Sequence, residues 1–198
     1  MKNTIIITVM AMLAILPDSR LSAQNRFEAG IGYAPFFLEY VDDGIQFKGK
    51  FDAYLEWRYV IGKHFDAGAK LDYKACPISV YDFMDGLLTT GNQHCVSLLA
   101  NADFNFLPGK KVNPYIGIGM GPALIVNNWT TREQVTPERP GFDYSVIPPV
   151  QAYTKFALVV SPRFGVELFG HLRLSVSTDA SFNSDIRWPV CFNIGWTF

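Results

Sequence analysis

The eleven C-terminal residues constrain the fold more than any other part of the chain. Large apolar side chains occupy every second position, and mostly small or polar ones lie between them. Because successive residues of a β-strand point to opposite faces, this alternation predicts a strand with one apolar and one polar face. In a sheet that closes within a membrane, the apolar face would contact lipid. The lipid side of this predicted strand consists of Trp188, Val190, Phe192, Ile194, Trp196 and Phe198.

Residues 1–23 have the composition of a secretory signal peptide. Lys2 precedes the apolar run 5–16, which is shorter than the ~20 residues of a membrane-spanning helix. Leu21, Ser22 and Ala23 then provide a cleavage site before Gln24. We therefore expect an exported protein whose mature part, residues 24–198, forms one domain.

The composition of the mature part excludes several classes of protein. It carries 15 cationic and 17 anionic side chains, so its charge gives no reason to expect a nucleic-acid partner. Its hydrophobicity is dispersed into alternating segments, with no apolar run near the ~18 residues that would predict a helical membrane span. The three cysteines match no zinc-binding spacing. We expect neither a metal nor a cofactor.

Eight segments of alternating hydrophobicity follow one another from about residue 26 to the C terminus. The clearest, residues 45–61, is longer than the ~9 to 11 residues with which a tilted strand crosses a bilayer. Tight turns at 62–64, 108–111 and 169–171 alternate with longer connections, above all 79–92 and 127–151. Short turns on one side, longer loops on the other and an even number of strands are typical of bacterial outer-membrane barrels. The predicted fold class is all-β, an eight-stranded antiparallel up-and-down transmembrane β-barrel.

The chain resembles a known family over its whole mature length. The eight segments, the stretch NPYIGIGMG at 113–121, the stretch SPRFGVEL at 161–168 and the terminal Phe198 are similar to the small, porin-like outer-membrane β-barrels of Gram-negative bacteria. OmpA and OmpX have barrels of this shape. The resemblance implies the fold, a location in the bacterial outer membrane, and assembly through a C-terminal strand that ends in an aromatic residue. It implies outer-membrane lipids and the barrel assembly machinery as partners, and little about activity.

The polar faces of the predicted strands should point into the lumen, which eight strands leave just wide enough for side chains. Isolated buried charges cost several kcal/mol, so charges there must be paired. Seven cations and seven anions fall on these faces, which predicts a salt-bridged plug. An ion path is the alternative. The expected lumen charge network consists of Lys48, Lys50, Asp52, Glu56, Arg58, Asp66, Lys70, Asp72, Lys74, Asp103, Arg163, Glu167, Arg173 and Asp179.

Two of the cysteines also fall on the inward face, on adjacent strands. If their hairpin centres near residues 85–86, Cys76 and Cys95 lie opposite each other, and a disulfide between them is geometrically conceivable. Two thiols that share one face by chance are the alternative, and the sequence leaves the choice open.

Neither a nucleotide site nor a catalytic pair is predicted. The alternating glycines 117, 119 and 121 lie within a predicted strand, whereas a dinucleotide loop precedes a helix. They are better explained by the space that large lumen neighbours need. Lipid A deacylases of similar shape place a serine two residues from a histidine on one strand. Here position 96 is Val, and Ser97 falls on the opposite face from His94.

The function expected from the sequence is that of a non-enzymatic outer-membrane barrel with a structural or surface-interaction role. Its longer connections, 79–92 and 127–151, would contact an unidentified extracellular ligand. A narrow porin that passes small solutes is the second hypothesis, and a lipid-modifying enzyme is the third. A soluble lipocalin-like barrel would need apolar residues inside and polar ones outside, which is the reverse of this pattern.

Overall fold

The computed structural model describes residues 25–37, 45–47, 49–82, 87–134, 152–182 and 189–198. The predicted signal peptide lies outside these ranges, as do Lys48 and Trp188. No helix in the described part of the chain is long and apolar enough to cross a membrane. The strands are β1 (Asn25–Phe37), β2 (Ile45–Phe47), β3 (Lys50–Val60), β4 (Phe65–Asp82), β5 (Leu87–Asn105), β6 (Val112–Gln134), β7 (Tyr153–Leu168), β8 (Leu172–Thr178), β9 (Ala180–Ser181) and β10 (Pro189–Thr197).

Eight of these strands close into an antiparallel barrel. They pair in the order β1, β3, β4, β5, β6, β7, β8 and β10. The last strand then pairs with the first, with Ile194 opposite Ile31. The short strands β2 and β9 pair with β4 and β7. The predicted all-β, eight-stranded antiparallel barrel is confirmed.

Three tight turns and both ends of the described chain lie at one end of the barrel. The turns connect β3 to β4, β5 to β6 and β7 to β8. Asn25 pairs with Tyr59, beside the first turn, and the amide of Phe198 donates to the carbonyl of Phe27 over 2.8 Å. In outer-membrane barrels the short turns lie on the periplasmic side. We call this the short-turn end and the opposite one the outer end.

The predicted connection 79–92 is largely strand, which corrects the sequence-based expectation. β4 continues to Asp82 and β5 begins at Leu87, and the two are paired without interruption to that point. β6 likewise continues to Gln134, into the predicted connection 127–151. Valine, tyrosine, threonine and tryptophan in these segments favour strand, and cross-strand pairing outweighs the turn preference of Gly91 and Asn92.

One wall of the barrel therefore projects from the membrane. β4, β5 and β6 contain 18, 19 and 23 residues, compared with the ~9 to 11 that cross a bilayer. Tight turns hold these strands at the short-turn end, so their excess length lies at the outer end.

The outside of the barrel is an apolar belt. On β10 and directly after it, the side chains of Phe192, Ile194, Trp196 and Phe198 are each about half exposed. Cys191, on the opposite face of the strand, is fully buried in the lumen. Aromatic side chains lie toward both ends of the belt, with aliphatic ones such as Leu55, Leu71 and Ile118 between them. This exterior is complementary to a lipid bilayer.

Candidate functional site

The lumen holds thirteen of the fourteen charged residues predicted for it, and the fourteenth, Lys48, lies outside the described residues. Each of the thirteen is at most 9% exposed. The structure adds Glu28, so the described lumen contains eight acids and six bases instead of the expected seven and seven. The thirteen are Lys50, Asp52, Glu56, Arg58, Asp66, Lys70, Asp72, Lys74, Asp103, Arg163, Glu167, Arg173 and Asp179.

Glu28 is the lumen residue that the sequence analysis missed. One of its carboxylate oxygens accepts a hydrogen bond from the Tyr54 hydroxyl at 2.7 Å. The other accepts from Arg58 at 3.0 Å and from Arg173 at 3.3 Å. The alternation of β1 does indicate this position. Phe27 and every second residue after it form the outward face of the strand, so Glu28 points into the lumen.

Arg58 organises the layer nearest the short-turn end. Besides Glu28, its guanidinium contacts Asp66 at 3.5 Å and Glu167 at 3.4 Å. Glu167 also pairs with Arg26 at 3.0 Å, whose side chain is 37% exposed at the barrel end. This layer therefore joins β1, β3, β4 and β7 through buried charged hydrogen bonds, which are stronger than neutral ones.

Arg163 organises the central layer. Its two terminal nitrogens donate to both oxygens of Glu56, at 2.7 and 2.6 Å. The same guanidinium donates to both oxygens of Asp103, at 2.9 and 2.8 Å. Arg173 donates to Asp103 at 3.0 Å, and its guanidinium lies 3.6 Å from the centre of the Tyr115 ring. Two bidentate contacts fix the Arg163 side chain across the lumen.

Lysines replace arginines in the outer layer. Lys74 forms ion pairs with Asp72 and with Asp179, each at 2.5 Å. Lys70 lies 3.3 Å from Asp72, and its ammonium lies over the Tyr54 ring at 4.3 Å. This layer connects β4 to the segment between β8 and β9 on the far wall.

Three of these ion pairs span the barrel from one wall to the opposite one. β3 and β7 are four positions apart in the ring of eight strands, as are β4 and β8. Arg58 to Glu167 and Arg163 to Glu56 both join β3 to β7. Lys74 reaches Asp179, which directly follows β8. The lumen is thus crossed at three heights.

Asp52 differs from the other lumen acids. It is completely buried. Neither its oxygens nor those of Asp72 have a hydrogen-bond partner among the described residues, but Asp72 is ion-paired with Lys70 and Lys74. Asp52 has no such ion pair within the described part of the chain, and a buried carboxylate without donors is costly.

The cysteine pairing considered from the sequence is not formed. In the β4–β5 hairpin, Cys76 lies opposite Gln93 and Cys95 lies opposite Lys74. The centre of the hairpin lies one position nearer the N terminus than a direct pairing of Cys76 with Cys95 would require. The two cysteines are therefore diagonal neighbours on the two strands. Diagonal pairs are ~7–8 Å apart, which exceeds the usual reach of a disulfide. No disulfide joins them in the described chain.

Little free space remains between these side chains. The cavity bounded by Glu28, Tyr54, Arg163 and Asn193 has a volume of about 10 Å³, roughly enough for one water molecule. Glycines make this packing fit. A Cβ added to Gly117 would lie 1.9 Å from an oxygen of Asp103. A Cβ at Gly119 would likewise meet the side chain of Asn101, at 2.4 Å, whereas one at Gly121 would meet the backbone carbonyl oxygen of Leu98, at 1.9 Å.

Comparison with solved structures identifies the fold. The barrel is similar to the outer membrane protein OprG from Pseudomonas aeruginosa, with 11% identity, 89% of this chain and 96% of that chain covered, and a TM-score of 0.50. It is also similar to the N-terminal β-barrel domain of OprF from the same organism, with 13% identity, 88% of this chain and 98% of that chain covered, and a TM-score of 0.47. Ail, the attachment invasion locus protein of Yersinia pestis, has 15% identity, with 88% of this chain and 99% of that chain covered, and a TM-score of 0.47.

The chain is an eight-stranded outer-membrane β-barrel. No protein-family model matches its sequence, and no curated protein matches it either. The location in the bacterial outer membrane follows from this fold and from the apolar belt.

The three histidines of the described chain lie at the short-turn end and on the outer surface of the barrel. His64 and His171, at the short-turn end, are hydrogen-bonded through Nδ1 to backbone carbonyls. His94 lies on the outer surface, with its Nδ1 2.8 Å from the Tyr73 hydroxyl, whereas Ser97 is buried in the lumen. The described residues include no group of three His, Cys, Asp or Glu side chains placed to hold a metal ion.

Proposed function

We propose that this protein is a non-enzymatic outer-membrane barrel that acts as a closed anchor for the segments at its outer end. The observation that supports this most directly is the lumen, which three ion pairs cross between opposite walls. A channel lining that selects ions would instead present rings of charge around an open path. The cavity bounded by Glu28, Tyr54 and Arg163, with a volume of about 10 Å³, is consistent with a plug.

The projecting wall indicates where an anchor of this kind would act. β4, β5 and β6 extend beyond the length that a bilayer requires, residues 83–86 connect β4 to β5, and the segment 135–151 lies between β6 and β7 in the chain. A rigid sheet that carries connecting segments above the surface is a suitable scaffold for binding an extracellular ligand. We propose this surface-interaction role, with outer-membrane lipids around the belt and the assembly machinery as the partners of β10.

Conductance across planar bilayers tests the closed barrel. Purified, folded protein should give no steady conductance at either polarity, because solutes have no continuous path past the ion pairs. A variant that lacks residues 136–150 serves as the control for the outer segments, and it should fold and remain closed. Steady, ion-selective conductance of the wild-type barrel would contradict the proposal and favour the narrow porin.

The same deletion tests the surface role. The variant should remain heat-modifiable on a gel, which shows a folded barrel, yet lose adhesion of the expressing cells to the surface that the wild type binds. Equal adhesion of both strains to every surface tried would count against a role for this segment.

A further inference from the structure

The three short turns share one pattern of residues that the closed-anchor function does not require. Each contains a glycine followed by a base, and each is flanked by apolar residues. Lys110, Lys111, Lys63 and His171 are exposed, and His64 is half-buried. We call these five residues the basic rim.

The apolar flanks place the basic rim at the boundary between lipid and water. Ile61 and Phe65 enclose the first turn, Leu107 and Val112 the second, and Phe169 begins the third. All five of these side chains are at least half exposed, up to 70% for Phe169. In a membrane protein such side chains lie in the interfacial region, and long cationic side chains extend from it toward the headgroups.

The two histidines of the rim are held in the same way. The His64 ring stacks on Phe104 with centroids 5.6 Å apart, and the His171 ring stacks on Trp196 at 5.5 Å. In each case Nδ1 is hydrogen-bonded to a backbone carbonyl of a neighbouring strand, at 2.8 and 3.0 Å. The carbonyl requires Nδ1 to be the donor, so Nε2 of each ring is left for a partner outside the barrel.

The charge of this surface has one sign. Every acidic side chain whose burial the structure describes is buried in the lumen. The exposed side-chain charges of the short-turn end are therefore positive, with the half-exposed Arg26 added to the rim.

We propose that the basic rim binds the phosphate headgroups of anionic phospholipids in the inner leaflet of the outer membrane. Exposed lysines beside an interfacial apolar ring bind an anionic lipid surface through the phosphate charge. Because the flanking side chains lie at the lipid boundary, phospholipid headgroups are the anions nearest to each turn. This inference does not depend on whether the lumen is closed.

Quenching by brominated lipids tests the proposal. Trp57 and Trp196 lie toward the short-turn end, so replacing Trp129 and Trp188 by Phe leaves reporters near the rim. The protein is reconstituted in phosphatidylcholine vesicles with either brominated phosphatidylglycerol or brominated phosphatidylcholine, and the two quenching curves give the relative binding of the two lipids. The wild type should prefer phosphatidylglycerol, and the preference should fall as salt is raised.

The decisive variant is Lys110→Gln with Lys111→Gln, which changes only exposed turn residues. Each lysine near an anionic surface contributes up to about five-fold in binding, so the variant should lose about five- to twenty-five-fold of the preference. The matched control is Arg132→Gln with Lys155→Gln, at the outer ends of β6 and β7, which should keep it. Lys110→Arg with Lys111→Arg should also keep it. Heat-modifiability is measured first for each protein.

Three results would overturn the inference. The preference could survive Lys110→Gln with Lys111→Gln, or both double variants could lose it equally, which would show a general charge effect. In the third result, Lys110→Gln with Lys111→Gln keeps the lipid preference of the wild type but no longer co-sediments with peptidoglycan. That result would show that the basic rim binds the cell wall.

Discussion

Arg163→Ala tests whether the crossing ion pairs hold the barrel together. Removing the guanidinium leaves Glu56 without the two donors seen at 2.7 and 2.6 Å, while Asp103 keeps Arg173 at 3.0 Å. Loss of one partner from a buried pair costs ~3 to 5 kcal/mol. We expect a loss of this size in the free energy of unfolding, with most of it caused by the stranded Glu56.

Urea unfolding in detergent micelles, followed by the heat-modifiable gel shift, measures this loss. Arg26→Ala is the matched control, because its side chain is 37% exposed and Glu167 keeps Arg58. Exposed pairs contribute ~0 to 1 kcal/mol. A second variant, Arg163→Met with Glu56→Met, removes both charges and should recover much of the stability, since an apolar pair can replace a buried ion pair.

Two results would refute this reasoning. One is an Arg163→Ala barrel that unfolds at the same urea concentration as Arg26→Ala. The other is a double variant with Glu56→Met that is as unstable as the single one, because then the stranded charge would not be the cause. Arg163→Ala should also remain non-conducting, since Arg58 and Lys74 still cross the lumen.

The other predictions concern single positions. Asp52→Asn should change the unfolding free energy by less than ~1 kcal/mol or raise it, because that carboxylate has no ion pair among the described residues. Asp72→Asn should lower it by ~3 to 5 kcal/mol in the same urea assay, because Lys70 loses its ion-pair partner, although Lys74 keeps Asp179. Equal effects of the two would contradict our account of the outer layer. Gly195→Ala places a Cβ 2.3 Å from Glu28 and should cost ~1 to 3 kcal/mol by overpacking. Gly62→Ala, with nothing within 4 Å, should leave the melting temperature unchanged, and a matching loss there would point to backbone effects instead. Deleting Phe198, or Phe198→Asp, should reduce the folded protein in outer-membrane fractions, although a lipid-facing charge near the interface costs only ~0 to 1 kcal/mol; normal amounts of both variants would argue against recognition of the C-terminal aromatic residue.

The faces of the strands could be predicted because one rule governs them. In a barrel the outward side chains meet lipid and the inward ones meet each other, so an alternation such as that of β10 determines both faces. The same rule applied to β1 gives Glu28 as a lumen residue, because it alternates with the outward Phe27 and Ala29.

The partners within the lumen could not be predicted from the sequence. Whether Arg163 meets Glu56 or another acid depends on how far each strand is staggered along the barrel, and this stagger is a property of the closed sheet. The β4–β5 hairpin shows how strongly the pairing depends on register. A shift of one position in the centre of the hairpin places Gln93, instead of Cys95, opposite Cys76. Its length was also underestimated, because Gly91 and Asn92 favour turns locally while pairing with β6 keeps them in strand.

The lumen ion pairs also constrain the order in which this barrel can form. Arg163 and Glu56 are 107 residues apart in the chain, and Arg173 and Glu28 are 145 residues apart. Contacts between such distant residues form late, after the entropy of closing long loops has been overcome. Until β1 meets β10, each charged strand face would confront lipid without its counter-charge. A half-closed sheet of this sequence is therefore stable only where water or another protein covers its polar face, so we expect insertion and closure to be coupled.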